Sequence, residues 1–477
     1  MVVISHDNRA VRVDTALPSN ELLFKSLNGQ DGLSTLFDYQ LDLVTDSASI
    51  DLNDLLGTEM LVSVDLVRGG ERYFHGHVSH CALIGSDNGY LHYQFSLKPW
   101  FWFLTRTSDC RIFQQMSVPD IIEKVFRDEG FTDFELRLTS TYEAREYFVQ
   151  YQETDFNFVS RLMEEVGIYY YFIHSSDSHM MILCDSFCAH EPYEGYENVR
   201  YHEAGNELSI DEDHIDTWGF ERQLQPGKIA SQDYCFKDPK ADLLVGHQLD
   251  KGHARSDYEV YEYPGSYRKR ADGESLVKNR LEESHAQFEV FSGSGDVNGL
   301  CSGFLFSLTD NILSEQNREY LVRDASYKIT MDDYTSGGDG VFDFKSTFHA
   351  IISDQQFRAA RTSPKPCVQG PQTAKVVGPC TEEIWTDEFG RVKLQFHWDR
   401  YGSSDENSSC WVRVSQVWAG SGWGAMHIPR IGQEVIVECL EGDPDRPIVT
   451  GRVYNGDNPV PYKLPENKTQ SGIKSRS

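Results

Sequence analysis

Two imidazoles two residues apart are the first chemistry this chain offers. In HGHVSH, His75 and His77 fall on one face of a strand, so both could touch one metal, while His80 has the opposite parity. No HExxH or CxxC pair supplies further ligands. Spacing alone specifies little, so the pair reads as ordinary strand histidines and no metal is expected. CDSFC puts Cys184 and Cys188 on one parity but too far apart for a zinc knuckle; they read as small buried hydrophobes. GSGDVNG at 293–299 has the glycine density of a phosphate loop without its order, and no helix clearly follows, so it reads as a plain loop. The nucleophile elbow GxSxG is absent. With 74 Asp and Glu, carboxylate pairs at glycosidase distance arise by chance and carry no signal.

The tryptophans say more. Trp385, Trp398, Trp411, Trp418 and Trp423 are five of the chain's eight. Such a cluster either stacks a ligand or packs a small barrel and anchors neighbouring chains. Stacking platforms for single-stranded nucleic acid sit in positive grooves. Lys and Arg number 44 here, for a formal charge of −30, so packing and assembly is the favoured reading. The same charge disfavours nucleic acid and anionic membrane surfaces as partners.

The elements that must hold these residues are mostly strands. Val11 and Val13 alternate with polar neighbours, as do Phe37, Tyr39, Leu41 and Leu43, and Met60, Val62, Val64 and Leu66. The turn Arg68-Gly69-Gly70-Glu71 follows, then the runs YFHGHVSHCALIG and YLHYQFSLKPWFWFL. This pattern predicts antiparallel sheet, closed as a barrel. Ser117 and Asp120 predict a helix start, with Ile121, Ile122, Val125 and Phe126 on one face and Gly130 at its end. A second helix is predicted from Thr154-Asp155 to Gly167, followed by the strand IYYYFI, and a third from about Asp272 to Gln287. Strand alternation returns in GLCSGFLFSLT and EYLVRDASYKIT. RTSPKPCVQGPQ at 361–372 marks a domain boundary. Beyond it, RVKLQFHW, WVRVSQVW, EVIVECL and PIVTGRV predict a small Greek-key barrel of the OB type, with Val392, Leu394 and Phe396 on one face.

At 477 residues about three domains are expected. No stretch is long and apolar enough for a membrane helix. The opening MVVISHDNRAVRVDT lacks a basic segment followed by an apolar core, so no secretory leader is expected. Ten scattered cysteines suit reduced thiols in a chain made in the cytoplasm.

The C-terminal block DEFGRVKLQFHWDR, then SCWVRVSQVWAGSGWGAMHIPRIGQEVIVECLEGDPDRPIVTGRVYNGDNPVPYKLPENKTQSGIKSRS, closely resembles the VgrG family. These are the spike proteins of type VI secretion systems, related to the baseplate hub and spike of contractile-tailed phages. YQETDFNFVSRLMEEVGIYYYF, FKSLNGQDGLSTLFDYQLDLVT and YFHGHVSH resemble the family's hub segment, so the likeness runs over essentially the whole chain. It implies a mainly β fold with some helices: a phage-hub-like double β-barrel region over 1–370, an OB-fold-like barrel over 371–459, and a linker over 460–477. It further implies a homotrimer with a pseudo-sixfold hub that stacks on the hexameric tube protein. Baseplate components, effectors and their adaptors are the other implied partners. The spike would be exported through the secretion machine to the extracellular space or target cell. A β-helix needle with a tip protein normally follows where this sequence reads SGIKSRS, so tip binding is expected only of a form that carries a needle. Without it, a weaker trimer formed through the hub is expected. The residues identified with the family motif are Asp387, Gly390, Arg391, Trp398, Trp411, Trp418, Gly432, Gly442, Asp443, Pro444 and Gly451. Their implied role is structural, with no catalytic residue and no cofactor.

Three rival readings remain at this level. One is a phage baseplate hub, separable by genome neighbourhood. Another is a peptidoglycan-cleaving spike, which would need an extra domain behind the OB block. The third is a carbohydrate- or oligonucleotide-binding OB module, which would need a basic or open aromatic strand face.

Overall fold

The computed structural model describes residues 9–46, 50–87, 89–203, 212–331 and 342–476. Residues 1–8, part of the segment from which no leader is expected, and Ser477 lie outside them. Alternating apolar residues build the first six strands: β1 (Val11–Asp14), β2 (Leu23–Gly32), β3 (Thr35–Thr45), β4 (Glu59–Asp65), β5 (Glu71–Asp87) and β6 (Tyr90–Lys98). Phe37, Tyr39, Leu41 and Leu43 are all buried, as are Met60, Val62 and Val64, because a period of two puts each set on one face. β6 stops before its apolar run does. Pro99 has no N–H to give to a ladder, and Trp100–Thr105 winds instead into a 3-10 turn with Trp100 and Phe101 buried.

Next come β7 (Ser108–Phe113), α1 (Val118–Asp128), β8 (Phe134–Arg137), β9 (Phe148–Thr154) and α2 (Asp155–Val166). Both helices start and stop where the sequence signals them. The Ser117 hydroxyl and backbone N–H donate to Asp120 Oδ2 (2.5 and 3.2 Å), and the Asp120 N–H returns a bond to Ser117 Oγ (3.4 Å). The Asn157 N–H donates to Thr154 Oγ1 (3.1 Å) at the start of α2, and the Gly167 and Ile168 N–H groups both close on Met163 O (2.9 Å each).

The chain continues through β10 (Tyr169–His174), β11 (His179–Cys184), β12 (Asn198–Arg200), β13 (Ile215–Arg222), β14 (Lys228–Ser231), β15 (Val245–Gln248), β16 (Glu259–Glu262), α3 (Arg270–His285), β17 (Glu289–Gly295), β18 (Leu305–Thr309), β19 (Glu319–Met331) and β20 (Phe342–Ile352). α3 lies about two residues N-terminal to its predicted span. The strand predicted from 299 begins only at Leu305, since turns occupy the residues before it.

The chain forms two compact units, each assembled from separated segments. The first comprises Met1–Phe103, Phe126–Thr141 and Leu162–Thr362. Its main sheet runs β1-β4-β5-β6-β3-β2-β19-β20-β17-β13, with β18 and β12 branching from β19. All neighbours are antiparallel except β12 and β18. Two strand sets, β1–β6 and β13 with β17–β20, meet at the β2–β19 ladder. A small sheet, β10-β11-β8, and another, β15-β14-β16, complete this unit; Val277 and Leu281 of α3 join Ile229 and Val245 in one apolar cluster.

The second unit comprises Leu104–Val125, Tyr142–Arg161 and Ser363–Ser477. Its strands are β21 (Gln372–Val377), β22 (Lys393–Phe396), β23 (Arg413–Val414), β24 (Glu434–Cys439) and β25 (Pro447–Val453), ordered β22-β21-β24-β25-β23. The two edges meet, because Val392 and Val412 exchange both backbone hydrogen bonds (2.9 and 2.8 Å). The sheet is therefore a closed five-strand barrel. Its core holds Val392, Leu394 and Phe396, as the alternation requires, with Ala374, Val376, Val435, Val437 and Val449. Tyr147 and Val149, beside and within the β7–β9 ribbon, complete that core.

A turn of charged residues ties this ribbon to the barrel. The Val149 N–H donates to Asp445 Oδ1 (2.7 Å), and Lys365 Nζ lies 2.7 Å from both Asp443 Oδ1 and Asp445 Oδ2. Burial pushes the Asp445 carboxyl up, opposed by Lys365. Asp445→Ala leaves the Val149 N–H without its acceptor, and is expected to cost this unit about 2 kcal/mol. Asp445→Asn, which keeps an acceptor, should cost less. Urea unfolding followed by tryptophan fluorescence measures both.

Candidate functional site

The first unit brings His75 and His77 together with two histidines that the sequence reading passed over. His174 and His179 are cross-strand partners at the mouth of the β10–β11 hairpin, and their rings lie against β5. His75 and His179 approach to 2.9 Å between their Nδ1 atoms. The Trp100 N–H donates to His179 Nε2 (2.9 Å). That bond fixes the proton of a neutral His179 on Nδ1, where it donates to His75 Nδ1. The Nδ1 lone pair of His75 and the Nε2 lone pair of His179 are thus already used. Among the described residues no group of three or more His, Cys, Asp or Glu is arranged to hold a metal. The signal that could have found the missed pair was IHSSDSH, two histidines symmetric about a hairpin turn.

Cys184 and Cys188 are not brought together as thiolates. Cys184 is buried, donates to Tyr169 O (3.7 Å) and is pushed up to about 12 by burial, whereas Cys188 is exposed. The first is a small core residue as read; the second is not buried. GSGDVNG begins as the end of β17 and continues as a loop. Its Asn298 carbonyl accepts from the buried Arg72 (2.7 Å), and its Gly299 lies under Tyr196, where a Cβ would come within 2.2 Å of the ring. The glycine density serves packing, not phosphate.

The motif residues lie in the second unit. Asp387 sits in the DEFGR turn with Gly390 at φ +69°. Its carboxylate accepts from the N–H groups of Phe389 (3.1 Å) and Arg391 (2.9 Å) and from Arg391 Nε (2.7 Å). Burial opposes its charge, but these donors outweigh it and hold the carboxyl below the usual range. Trp398 stacks on Phe396 (4.9 Å) and donates to Gln372 Oε1 (3.0 Å). Trp411 stacks on Trp385 (6.1 Å), with Lys393 Nζ 5.1 Å from its ring centre. The Gly432 N–H closes on Val376 O (2.8 Å), and Gly442 O accepts from Val368 (2.8 Å). Asp443 and Pro444 open the turn that the Arg446 N–H closes on Asp443 O (2.9 Å). Gly451 pairs with Ile436 beside a bulge in the β24–β25 ladder.

Trp418 behaves differently. WAGSGWGA forms a hairpin in which the Ala425 N–H donates to Trp418 O and the Gly420 N–H to Trp423 O (2.9 Å each). Trp418 and Trp423 meet edge to face at 5.1 Å, and both are mostly exposed, at 63% and 59%. A Cβ on Gly420 would come within 2.4 Å of the Trp423 ring, so only glycine lets that indole lie flat on the turn. Val417 at 90% and Met426 at 76% extend the exposed apolar surface. The tryptophan cluster therefore divides into three rings tied into the barrel and two presented to solvent.

A hub-like sheet unit and a closed five-strand barrel in one chain define a baseplate-hub class of protein. Residues 30–333 match the family described as phage tail baseplate hub (GPD), and residues 377–454 match the type VI secretion system/phage-baseplate injector OB domain. The chain is 49% identical over 472 residues to the type VI secretion system spike protein VgrG1a of Pseudomonas aeruginosa, covering 98% of this chain and 73% of that protein. It is 48% identical to VgrG1b of the same organism, covering 100% of this chain and 64% of that one. An E. coli type VI secretion component described as similar to T4 bacteriophage tail proteins gp27 and gp5 shares the fold, at TM-score 0.67 and 19% identity over 93% of this chain and 99% of that chain. A Francisella PdpA-VgrG complex matches at TM-score 0.62 and 9% identity, over 94% and 71%. The chain belongs to the VgrG family of type VI secretion spike proteins, and its fold is the mainly β hub followed by an OB barrel.

Asp387→Ala is expected to cost about 2 kcal/mol, because it removes the acceptor of the buried Arg391 Nε and of two backbone N–H groups. Its folded pKa lies below the unfolded one, so this contribution is full above about pH 4 and is lost as pH falls through the folded value. Unfolding midpoints at pH 7 and pH 3 for wild type and variant should differ at pH 7 and converge in acid.

Proposed function

We propose that the chain is the hub and OB portion of a type VI secretion spike, joining the hexameric inner tube to the puncturing tip and helping to deliver effectors. The observation that carries this reading is 48–49% identity to curated spike proteins along essentially its whole length. In this reading three copies assemble, so that two strand sets per hub give a pseudo-sixfold face for the tube. Ten of the eleven motif positions keep the barrel and its turns in shape, Trp418 anchors an interface, and a needle and tip protein engage in forms that carry them. The proposed domains are the hub over 1–370, the OB barrel over 371–459 and a linker over 460–477. The spike is made in the cytoplasm and exported by the machine itself.

The role is mechanical, not catalytic. Rigid spikes need large intersubunit burial, on the order of 2,000–5,000 Å² in obligate assemblies. The exposed Trp418–Trp423 hairpin, with Val417 and Met426, supplies apolar anchors for such an interface.

Light scattering at micromolar concentration should report a trimer; a stable monomer sinks the assembly reading. Trp418→Ser with Trp423→Ser should weaken association at least tenfold without unfolding the barrel, since both rings are solvent-exposed. In a strain deleted for the spike, the gene should restore export of the tube protein and the doubly substituted gene should restore less. Clear release of fragments from peptidoglycan by the purified chain would overturn the non-catalytic part.

A further inference from the structure

We propose that His75, His174 and His179, with His77 beside them, form a proton-sensitive lock in the hub: neutral imidazoles hold the β10–β11 hairpin against β5, and acid loosens that seam. This goes beyond the spike reading and does not depend on it.

The argument starts from the hydrogen bonds. The Trp100 N–H donates to His179 Nε2 (2.9 Å), and His179 Nδ1 donates to His75 Nδ1 (2.9 Å). On the other side the His75 backbone N–H lies 3.2 Å from His174 Nδ1. His174 Nε2 is 3.2 Å from the Tyr39 hydroxyl, which itself donates to Asp31 Oδ2 (3.3 Å). These directions agree when each of the three imidazoles is neutral. A second proton on His179 would set its Nε2–H against the Trp100 N–H. A second proton on His75 Nδ1 would face the His179 Nδ1–H. His174 alone has an alternative acceptor, the His75 carbonyl at 3.1 Å. The lock is thus built to refuse protons at two of its three members.

Its surroundings reinforce the refusal. Phe37 packs on His174 (5.0 Å) and His179 (5.3 Å), Phe172 on His179 (5.8 Å) and Phe103 on His77 (5.2 Å). The charged groups facing the cluster are Glu59 of β4, Asp133 before β8, Asp177 in the hairpin turn and Arg72 of β5. Tyr39 of β3 and Asp31 of β2 lie at the far end of the chain of bonds. The three carboxylates favour protonation, yet burial outweighs them. It lowers His75 and His77, lowers His179 well below the usual imidazole range, and brings His174 down to about 3. Groups whose folded value lies below the unfolded one contribute their full stability above about pH 6.5 and lose it as pH falls toward the folded values. Each such imidazole shifts the local opening equilibrium by about tenfold per pH unit in that window.

The test is amide exchange of the peptide spanning 169–184 in the purified full chain, expressed as protection factors at pH 7 and pH 5. Wild type and the exposed-site control His80→Gln should lose protection at least tenfold on acidification. His174→Gln with His179→Gln should lose at least tenfold less than wild type, because glutamine keeps an acceptor for the Trp100 N–H but does not titrate, leaving only His75 and His77 to respond. Equal losses in wild type and double variant would overturn the proposal. Should the double variant not fold, histidine Cε1 exchange in wild type decides. Transitions for His174 and His179 more than one unit below 6.5 support the lock, and transitions near 6.5 overturn it.

Discussion

The hub depends on one ladder between strands far apart in sequence. β2 and β19 pair from Ser26 with Thr330 to Gly32 with Asp324, and they are the only link in the main sheet between its two strand sets as described. Closing so long a loop is entropically costly, so the ladder needs more than backbone bonds. Asp31, where the β2–β3 register shifts, supplies it. Its carboxylate accepts from Tyr327 of β19 (3.0 Å) and Tyr39 of β3 (3.3 Å). Arg72 lies near, over the Tyr327 ring (4.2 Å), with its own donor satisfied by the Asn298 carbonyl. Burial raises the Asp31 carboxyl, and Arg72 and the two tyrosine hydroxyls oppose that rise.

The second unit uses the same device on a smaller scale. Its barrel closes with the single Val392–Val412 bridge, which alone is a modest fastening. Charged side chains fix the turns around it: Asp387 with Arg391, and Asp443 and Asp445 with Lys365. Partly buried ion pairs of this kind contribute more to selecting one geometry than to net stability. Selecting one geometry is what a mechanical part requires, since its interfaces work only if the presenting turns do not wander.

Aromatic side chains divide between these tasks and the surface. Trp385, Trp398 and Trp411 are held by neighbouring rings or amides. Trp418 and Trp423 hold each other on a glycine-rich hairpin and face solvent. The absence of charge among Val417, Trp418, Trp423 and Met426 contrasts with a chain at −30 overall. An exposed apolar hairpin on an acidic chain favours specific docking over indiscriminate adhesion.

Much of this is legible in the amino-acid sequence. Period-two alternation in β1 to β6, the Ser117–Asp120 and Gly167 helix signals, and the RVKLQFHW face of the barrel are local patterns, and they persist because tertiary packing agrees with them. The motif block also carried the family by resemblance. What local pattern does not encode is which distant segments meet. Pairing of β2 with β19, the assembly of the second unit from three separated segments, and the partners of Arg72 depend on long-range registers. The histidines show the limit most clearly. The spacing of His75 and His77 suggested at most a metal pair, whereas only the fold set His174 and His179 against them. Strand parity determines which face a side chain takes; its protonation state is decided by burial, and its hydrogen-bond direction by the Trp100 N–H and the neighbouring imidazoles that tertiary structure brings within reach.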